Sequence, residues 1–386
     1  MPIFNQVATQ PVSGDYSDVL NFALGQSGKN YVSAEVALQN SDIYSAVMQI
    51  SNDLASMNLT GGSDRLSAFL QNPSATSNGH AFWASVYAQL LLAGESFVYR
   101  WRNKNGVDLR WEYLRPSQVQ PLLLNDGSGL IYNLSFDEPD VGVMEAVPSG
   151  DMLHFRLVSK NGGMTAISPL SALANELKIK DANNKLTLSA LGQAVTSPGL
   201  LKVTKGGLLN EKQKAARSRT FMQQQHNSSG GPIVIDDLED YTPLEIKSDV
   251  ATLLSQTDWT SKQIAKVFGI PDSFLNGQGD QQSSVDQMTG MYTKALNRYA
   301  LTGVSELNCK LSTHLEADLR PAIDPTGSSY ATSVDAFAQS GVLAQNQALY
   351  ILQQAGYLPD KLPTAKPNIN TSMKGGDNND TGTNQG

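Results

Sequence analysis

Apolar residues recur along the chain at two periods, and the change from one to the other separates helical from extended stretches. In SDIYSAVMQISNDLASM, Ile43, Val47, Ile50, Leu54 and Met57 are spaced by three or four, which predicts an amphipathic helix capped by Asn40 or Ser41. From Asn78 to Ala93, Phe82, Val86 and Leu90 form one row and Trp83, Tyr87 and Leu91 the next, with Gly94 as the stop. The period then falls to two. Ser96–Arg102 and Val107–Leu114 flank the turn Asn103–Gly106, Leu130–Phe136 follows a turn at 125–129, and Met152–Leu157 follows Pro148-Ser149-Gly150. This pattern predicts an α+β unit up to about residue 160.

Beyond it the helical period returns. Ser168-Pro169 reads as a cap with proline at the first helical position, and Leu170, Leu173, Leu177, Leu188 and Leu191 keep heptad spacing while Lys180, Asp181 and Asn184 interrupt the middle. One helix of roughly 25 residues, about 37 Å long, is expected. Its broken stripe suits packing against like neighbours with part of the helix left wet. From Gly199 the reading is strand, turn, helix (Asn210–Gln225), Gly-rich turn, and two strands (Pro232–Ile235 and Tyr241–Ile246), a small β-α-β-β module. Asp249 caps another helix, carrying Val250, Leu253, Leu254, Ile264, Val267 and Phe268 and ended by Gly269 and Pro271. A polar loop, Asn276–Ser283, leads to a long helix whose buried side is marked by Met288, Met291, Ala295, Tyr299, Leu307, Leu311, Leu315 and Leu319, with Arg320-Pro321 as its stop. A short helical region, Ser333–Ala355, follows. The N-terminal arm to about Asn40 and the Asn-, Gly-, Thr- and Asp-rich tail from Pro363 are expected to be poorly ordered.

Composition narrows the function classes. Lys plus Arg number 28 against 36 Asp plus Glu, a net charge of −8, so the chain lacks the basic excess of a nucleic-acid clamp. The single cysteine, Cys309, excludes an internal disulfide framework and any multi-thiolate metal site. No apolar run reaches the roughly 18–20 residues of a membrane helix, the richest stretch being Ala81–Tyr99, and no membrane association is expected. The start, MPIFNQVATQPVSGDYSD, has neither the basic nor the apolar region of a signal peptide.

Catalytic motifs are weak. Gly25-Gln-Ser-Gly28-Lys29-Asn30 resembles a phosphate loop but has Ala23 where the first glycine belongs and Asn30 where a magnesium-binding hydroxyl belongs. His80, His154, His226 and His314 show no metal-ligand spacing, and no Gly-x-Ser-x-Gly elbow occurs. Asp151 and His154, three apart at a strand entry, could pair as acid and base, although a satisfied structural histidine is the commoner arrangement. Asp236-Asp237 and Glu239-Asp240 read as a solvated acidic turn. Trp259 reads as a core or subunit-contact aromatic. No catalytic residue, cofactor or metal is assigned. The local positive patch is the helix bearing Lys212, Lys214, Arg217 and Arg219, suited to phosphates or an acidic partner if it is more than a solvated face.

The order of several short motifs resembles one family. Asp42-Ile-Tyr-Ser-Ala-Val47 through Ile50-Ser-Asn-Asp-Leu-Ala55, Leu70-Gln-Asn-Pro73 and Leu91-Leu-Ala-Gly94-Glu-Ser-Phe-Val-Tyr99 are similar to the opening of the portal proteins of long-tailed double-stranded-DNA bacteriophages. Leu114-Arg-Pro116-Ser-Gln-Val119, Asp151-Met-Leu-His154-Phe, Ile167-Ser168-Pro169-Leu170 and Gln263-Ile264-Ala265-Lys-Val-Phe268-Gly269-Ile270-Pro271 continue the likeness in the same order, over roughly residues 40–320. The chain departs from the family at Ala194-Val-Thr-Ser-Pro198-Gly199 and in its short C-terminal region.

The resemblance implies a portal fold: a flexible arm (1–40), an α+β wing (41–166), a stem helix (167–195), a β-α-β-β clip (196–248), a second stem helix (249–271), a tunnel loop (272–284), a long wing helix (285–321), a short helical crown (322–360) and a disordered tail (361–386). It implies a structural, non-enzymatic homo-oligomer, a ring of about twelve at the capsid portal vertex of the virion, assembled in the host cytoplasm. Double-stranded DNA would pass through it during packaging and ejection. Partners would be the terminase large subunit, the head–tail adaptor and the major capsid protein, with scaffold as a further candidate. Asn276, Gly277, Gln278, Gly279, Asp280, Gln281, Gln282 and Ser283 would face the DNA. Lys212, Lys214, Arg217 and Arg219 would dock partners, and Leu170, Leu173, Leu177, Leu188 and Leu191 would pack the stem. The rival readings are another head–tail connector component, or a metal-dependent phage hydrolase built on Asp151, His154 and the acidic turn.

Overall fold

The computed structural model describes residues 9–11, 34–196, 199–203, 210–227, 239–243, 250–276, 285–359 and 361. In chain order the elements are β1 (Thr9–Pro11), α1 (Ala34–Leu38), α2 (Ser41–Ala55), β2 (Asn58–Gly61), α3 (Asp64–Gln71), α4 (Gly79–Ala93), β3 (Glu95–Arg102), β4 (Asp108–Leu114), β5 (Val119–Leu124), β6 (Leu130–Ser135), β7 (Val143–Pro148) and β8 (Met152–Arg156). They continue with α5 (Pro169–Ala172), α6 (Ala174–Thr196), β9 (Gly199–Val203), α7 (Glu211–Asn227), β10 (Glu239–Pro243), α8 (Val250–Phe268), α9 (Ser273–Asn276), α10 (Val285–Leu311), β11 (Leu315–Asp318), α11 (Arg320–Ile323), α12 (Ser328–Gln339) and α13 (Gln345–Gln354). Two compact units result, residues 1–323 and 324–386.

The first unit is built around two cores that share a sheet. β3 is the centre of an antiparallel β4-β3-β8 sheet, and its side chains alternate between the two faces. Val98 points into a helical core with Ile43, Ile50, Leu90, Phe268, Leu296 and Leu307. Phe97 and Tyr99 point the other way, against Leu134 and Val147 of the antiparallel β1-β5-β6-β7 sheet and Phe136 just beyond β6. Burial on both faces explains why the run Phe97–Arg100 is uninterruptedly inside. One arginine is drawn inward with its counter-charge. Arg100, 5% exposed, grips Asp108 through two bonds of 3.0 and 2.8 Å and donates to the carbonyls of Gly150 and Lys310, so it also caps the end of α10.

Local signals account for the early helices. Asn40 caps α2, accepting from Asp42 N and Ile43 N, and Asn78 caps α4, which ends at Gly94 with φ 79°. At Gly94 the chain also needs the missing side chain: a Cβ there would lie 2.1 Å from the Ile167 carbonyl oxygen.

Several expectations are corrected. The arm before Asn40 is not wholly outside the fold, because α1 buries Ala37 in the helical core and β1 pairs with β5. The long C-terminal helix of the first unit does not run to Leu319. It stops at Leu311, Ser312 takes φ 49°, and Leu315–Asp318 forms β11 against β2. Arg320-Pro321 opens α11 instead of closing a helix, with Asp318 accepting from Arg320 N. The helix expected from Ser168 is divided at Leu173 into α5 and α6. Of the β-α-β-β module, β9, α7 and β10 are described, with β10 antiparallel to β9 and beginning at Glu239, earlier than expected. The strand Pro232–Ile235, Asp249 and the tail from Pro363 lie outside the described residues.

The second unit is a small pair of helices, α12 and α13, where a short helical region was expected over Ser333–Ala355. Val334 and Ala348 are buried within it, and Tyr330 and Tyr357 lie together with ring centroids 5.6 Å apart.

Candidate functional site

The junction of α2, α6 and α8 is a polar construction set into the helical core of the first unit. Leu170 of α5 and Leu173 at the break, both fully buried, anchor the chain in the helical core, and α6 leaves it through the half-buried Leu177. One turn further on, the covered row meets Lys180, 9% exposed. Its Nζ lies 2.7 Å from Asp42 Oδ2 and donates to Asn40 Oδ1 at 3.3 Å. Ser261 of α8 donates to the same Asp42 oxygen at 2.6 Å. Lys180 interrupts the leucine stripe because its carboxylate partner sits in the first turn of α2. Glu176 and Asn183 continue that row, and each keeps one buried polar atom without a partner.

The expected stem leucines therefore divide. Leu170 and Leu173 belong to the chain's own core, whereas Leu188 is 69% exposed; Leu191 lies in α6, with its side chain outside the description. Ile179 and Leu186, seven apart on another face, are also exposed, as is Trp259 of α8.

The end of α8 and the short α9 pack against the middle of α10. Gly269 turns the chain with φ 70°, and Tyr299 of α10 donates to the Phe268 carbonyl at 2.7 Å, burial pushing its phenol up to about 12. Arg298 donates to the Gly269 carbonyl at 3.2 Å. Phe274 of α9 stacks on Tyr292 of α10 with centroids 4.5 Å apart, and the Tyr292 hydroxyl donates to Asp53, near the C-terminal end of α2. Burial raises the Asp53 carboxyl, and the Tyr292 bond partly offsets that rise. Of the expected channel residues, Asn276 closes α9, while Gly277, Gln278, Gly279, Asp280, Gln281, Gln282 and Ser283 lie outside the described residues.

Lys212, Lys214, Arg217 and Arg219 are exposed on α7, a helix with little apolar content. At about 100° per residue, Lys212 and Arg219 share one side and Lys214 and Arg217 the opposite one, so the charge forms two patches.

The acid–base pair considered for Asp151 and His154 is not assembled. Asp151 pairs with Arg102. His154 is fully buried, its Nε2 3.2 Å from Glu95 and its Nδ1 3.2 Å from the Tyr132 hydroxyl, and its main-chain N–H donates to Glu306 at 3.0 Å. Burial holds the imidazole below its usual range. Asp236 and Asp237 lie outside the described residues, and Glu239-Asp240 opens β10. Among the described residues no group of three or more His, Cys, Asp or Glu could hold a metal ion, and no helix is long and apolar enough to cross a membrane.

The contacts missed from sequence, Asp42 with Lys180 and Ser261, and Asp53 with Tyr292, join residues far apart in the chain. The signal that could have found the first was the charged residue inside an otherwise apolar row.

Comparison with known proteins gives a consistent picture. The family described as phage portal protein matches residues 41–358. No curated protein sequence matches the chain. Among solved structures, a chain in the virion of a native gene transfer agent particle is similar at 18% identity and a TM-score of 0.63, covering 89% of this chain and 95% of that one. A chain from the neck of the native particle, computed with C12 symmetry, is similar at 19% identity with the same TM-score and coverage. An HK97-family phage portal protein from Corynebacterium diphtheriae matches at 12% identity and a TM-score of 0.55, covering 76% of this chain and 96% of that one.

Proposed function

We propose a function that starts from one premise: the chain belongs to the phage portal protein family. It is the structural ring component of a capsid vertex, about twelve copies surrounding a channel through which double-stranded DNA enters and leaves the particle. The observation that carries this is the fold likeness, over nearly the whole chain, to a component of a neck with C12 symmetry. In that ring, 41–166 is the wing, 167–195 and 249–271 are the stem, 196–248 is the clip, 272–284 carries the channel loop and 322–360 is the crown. Ile179, Leu186, Leu188 and Trp259, apolar and exposed on α6 and α8, supply surface for a neighbouring copy.

The charge balance suits a conduit. Each phosphate contact on a moving duplex has to be broken again, so a channel wall without a strong counterion-release contribution holds DNA loosely. Repulsion from a net-negative ring, screened beyond roughly 8 Å at physiological salt, centres the duplex without gripping it. The loop Asn276–Ser283 has one carboxylate, Asp280, and otherwise amides, glycines and a hydroxyl, which form exchangeable hydrogen bonds. Energy comes from a separate motor, the terminase large subunit, docking at the clip, where the head–tail adaptor later binds; the wing meets the major capsid protein.

Electron microscopy of the purified chain tests the ring. Closed rings with about twelve-fold top views are expected, and monomers persisting at high concentration, with or without scaffold, would sink the reading. Docking is tested separately: Lys214→Glu with Arg217→Glu should leave rings intact and impair motor binding, while unchanged packaging would remove α7 from the docking surface.

A further inference from the structure

The two edges of the β1-β5-β6-β7 sheet are finished differently. At the β7 edge the register with β6 shifts between Tyr132 and Leu134, Ala146 takes φ 57°, and Glu145 is exposed. An irregular, charged edge pairs poorly with another strand. β5 is regular along its pairing with β6 and ends in Leu122-Leu123-Leu124, with Leu122 buried and the other two half-buried. Uncovered, it would present open main-chain groups between leucines, a template for strand addition.

Its cover is slight. β1 has three residues, ends in Pro11, which has no N–H to extend a ladder, and pairs only with β5. The 22 residues 12–33 separate it in sequence from α1. Such a tether can reach at most about 75 Å. That sequence separation is long enough for β1 to pair with an edge other than the chain's own. Strand exchange replaces three pairings by the same three pairings, so it costs the donor's fold nothing and adds main-chain bonds between copies.

We propose that β5 is a strand-acceptor site for a second copy of this chain: its edge receives Thr9–Pro11 of a neighbour, with Thr9 opposite Leu124, Gln10 opposite Leu123 and Pro11 opposite Leu122. The occupant is recognised through its main chain, as a short extended segment terminated by proline. The inference rests on the ring reading given above.

The test uses two full-length chains of different tag size, both carrying Cys309→Ser. One also has Gln10→Cys and the other Leu123→Cys; they are co-assembled, imaged and then oxidised. Facing residues of an antiparallel pair stand about 4.5–5.5 Å apart between Cα atoms, within reach of a disulfide. A covalent heterodimer is expected in co-assembled rings and not in rings formed separately and mixed afterwards. Thr9→Cys with Leu124→Cys repeats the test at a second pair in case one has poor geometry. Intact rings that give no heterodimer at either pair overturn the exchange. Micrographs without rings overturn the conduit reading and the exchange together.

Discussion

Replacing Lys180 by methionine isolates the ion pair at the junction of α2, α6 and α8. Methionine keeps most of the aliphatic stem, so packing changes little, but Asp42 loses the ammonium 2.7 Å away and retains Ser261 as its side-chain donor. Removing one partner of a fully buried pair costs about 3–5 kcal/mol. Here the side chains of Lys180 and Asp42 are 11% and 18% exposed, so water recovers part of the loss and about 2–3 kcal/mol is expected. Arg115 and Asp137 are an internal control: their bond is also 2.7 Å, yet the side chains are 55% and 68% exposed, and Arg115→Met should cost at most about 0.5 kcal/mol. Urea unfolding, followed by fluorescence of the buried Trp83 and Trp111, reads both variants. Adding Asp42→Asn completes a double-mutant cycle with an expected coupling of about 1.5 kcal/mol or more. A Lys180→Met variant within about 0.5 kcal/mol of the parent, or matching Arg115→Met, would refute the argument that burial sets the strength of this pair.

Two further outcomes concern the core of the first unit. His154 is held below its ordinary pKa by burial, so the folded state binds fewer protons than the unfolded one; stability should be full above about pH 6.5 and fall as pH drops through the folded value. Stability curves between pH 5 and 7.5 should flatten in His154→Gln, and an unchanged slope would assign the pH dependence to other groups. Tyr87 is fully buried with an unpartnered hydroxyl, and a Cβ on Gly303 would lie 2.6 Å from that oxygen. Thermal melts should therefore show Tyr87→Phe neutral or stabilising, Gly303→Ala destabilising by about 1–3 kcal/mol, and the double variant partly restored; additive effects would contradict the steric account.

What was legible in the sequence depended on how local its cause was. Ile43, Val47, Ile50 and Leu54 predicted α2 because a single core face imposes their spacing, and Asn40 and Gly94 marked ends through bonds within one turn. The error at the end of α10 has an equally local origin. Leu311, Leu315 and Leu319 keep a four-residue helical step, but Leu315, Ala317 and Leu319 also keep the two-residue step of a strand, and only the partner β2 decides between them. α1 was missed because five residues are too few to display a period. The dual burial of β3 and the role of Lys180 depend on partners distant in sequence, which no window along the chain contains. For the same reason the proximity of Asp151 and His154 in sequence was misleading: each side chain is claimed by a partner on another strand.

Helix α2 has a mechanical consequence. Its first turn carries Asp42, bonded to α6 through Lys180 and to α8 through Ser261; its last turns carry Asp53, bonded to Tyr292 of α10, which stacks on Phe274 of α9. Fifteen helical residues make a stiff strut about 22 Å long. Any tilt of α6 and α8 that preserves the bonds at one end must carry the other end with it. The two ends are geared together, and their separation sets the length of the lever arm.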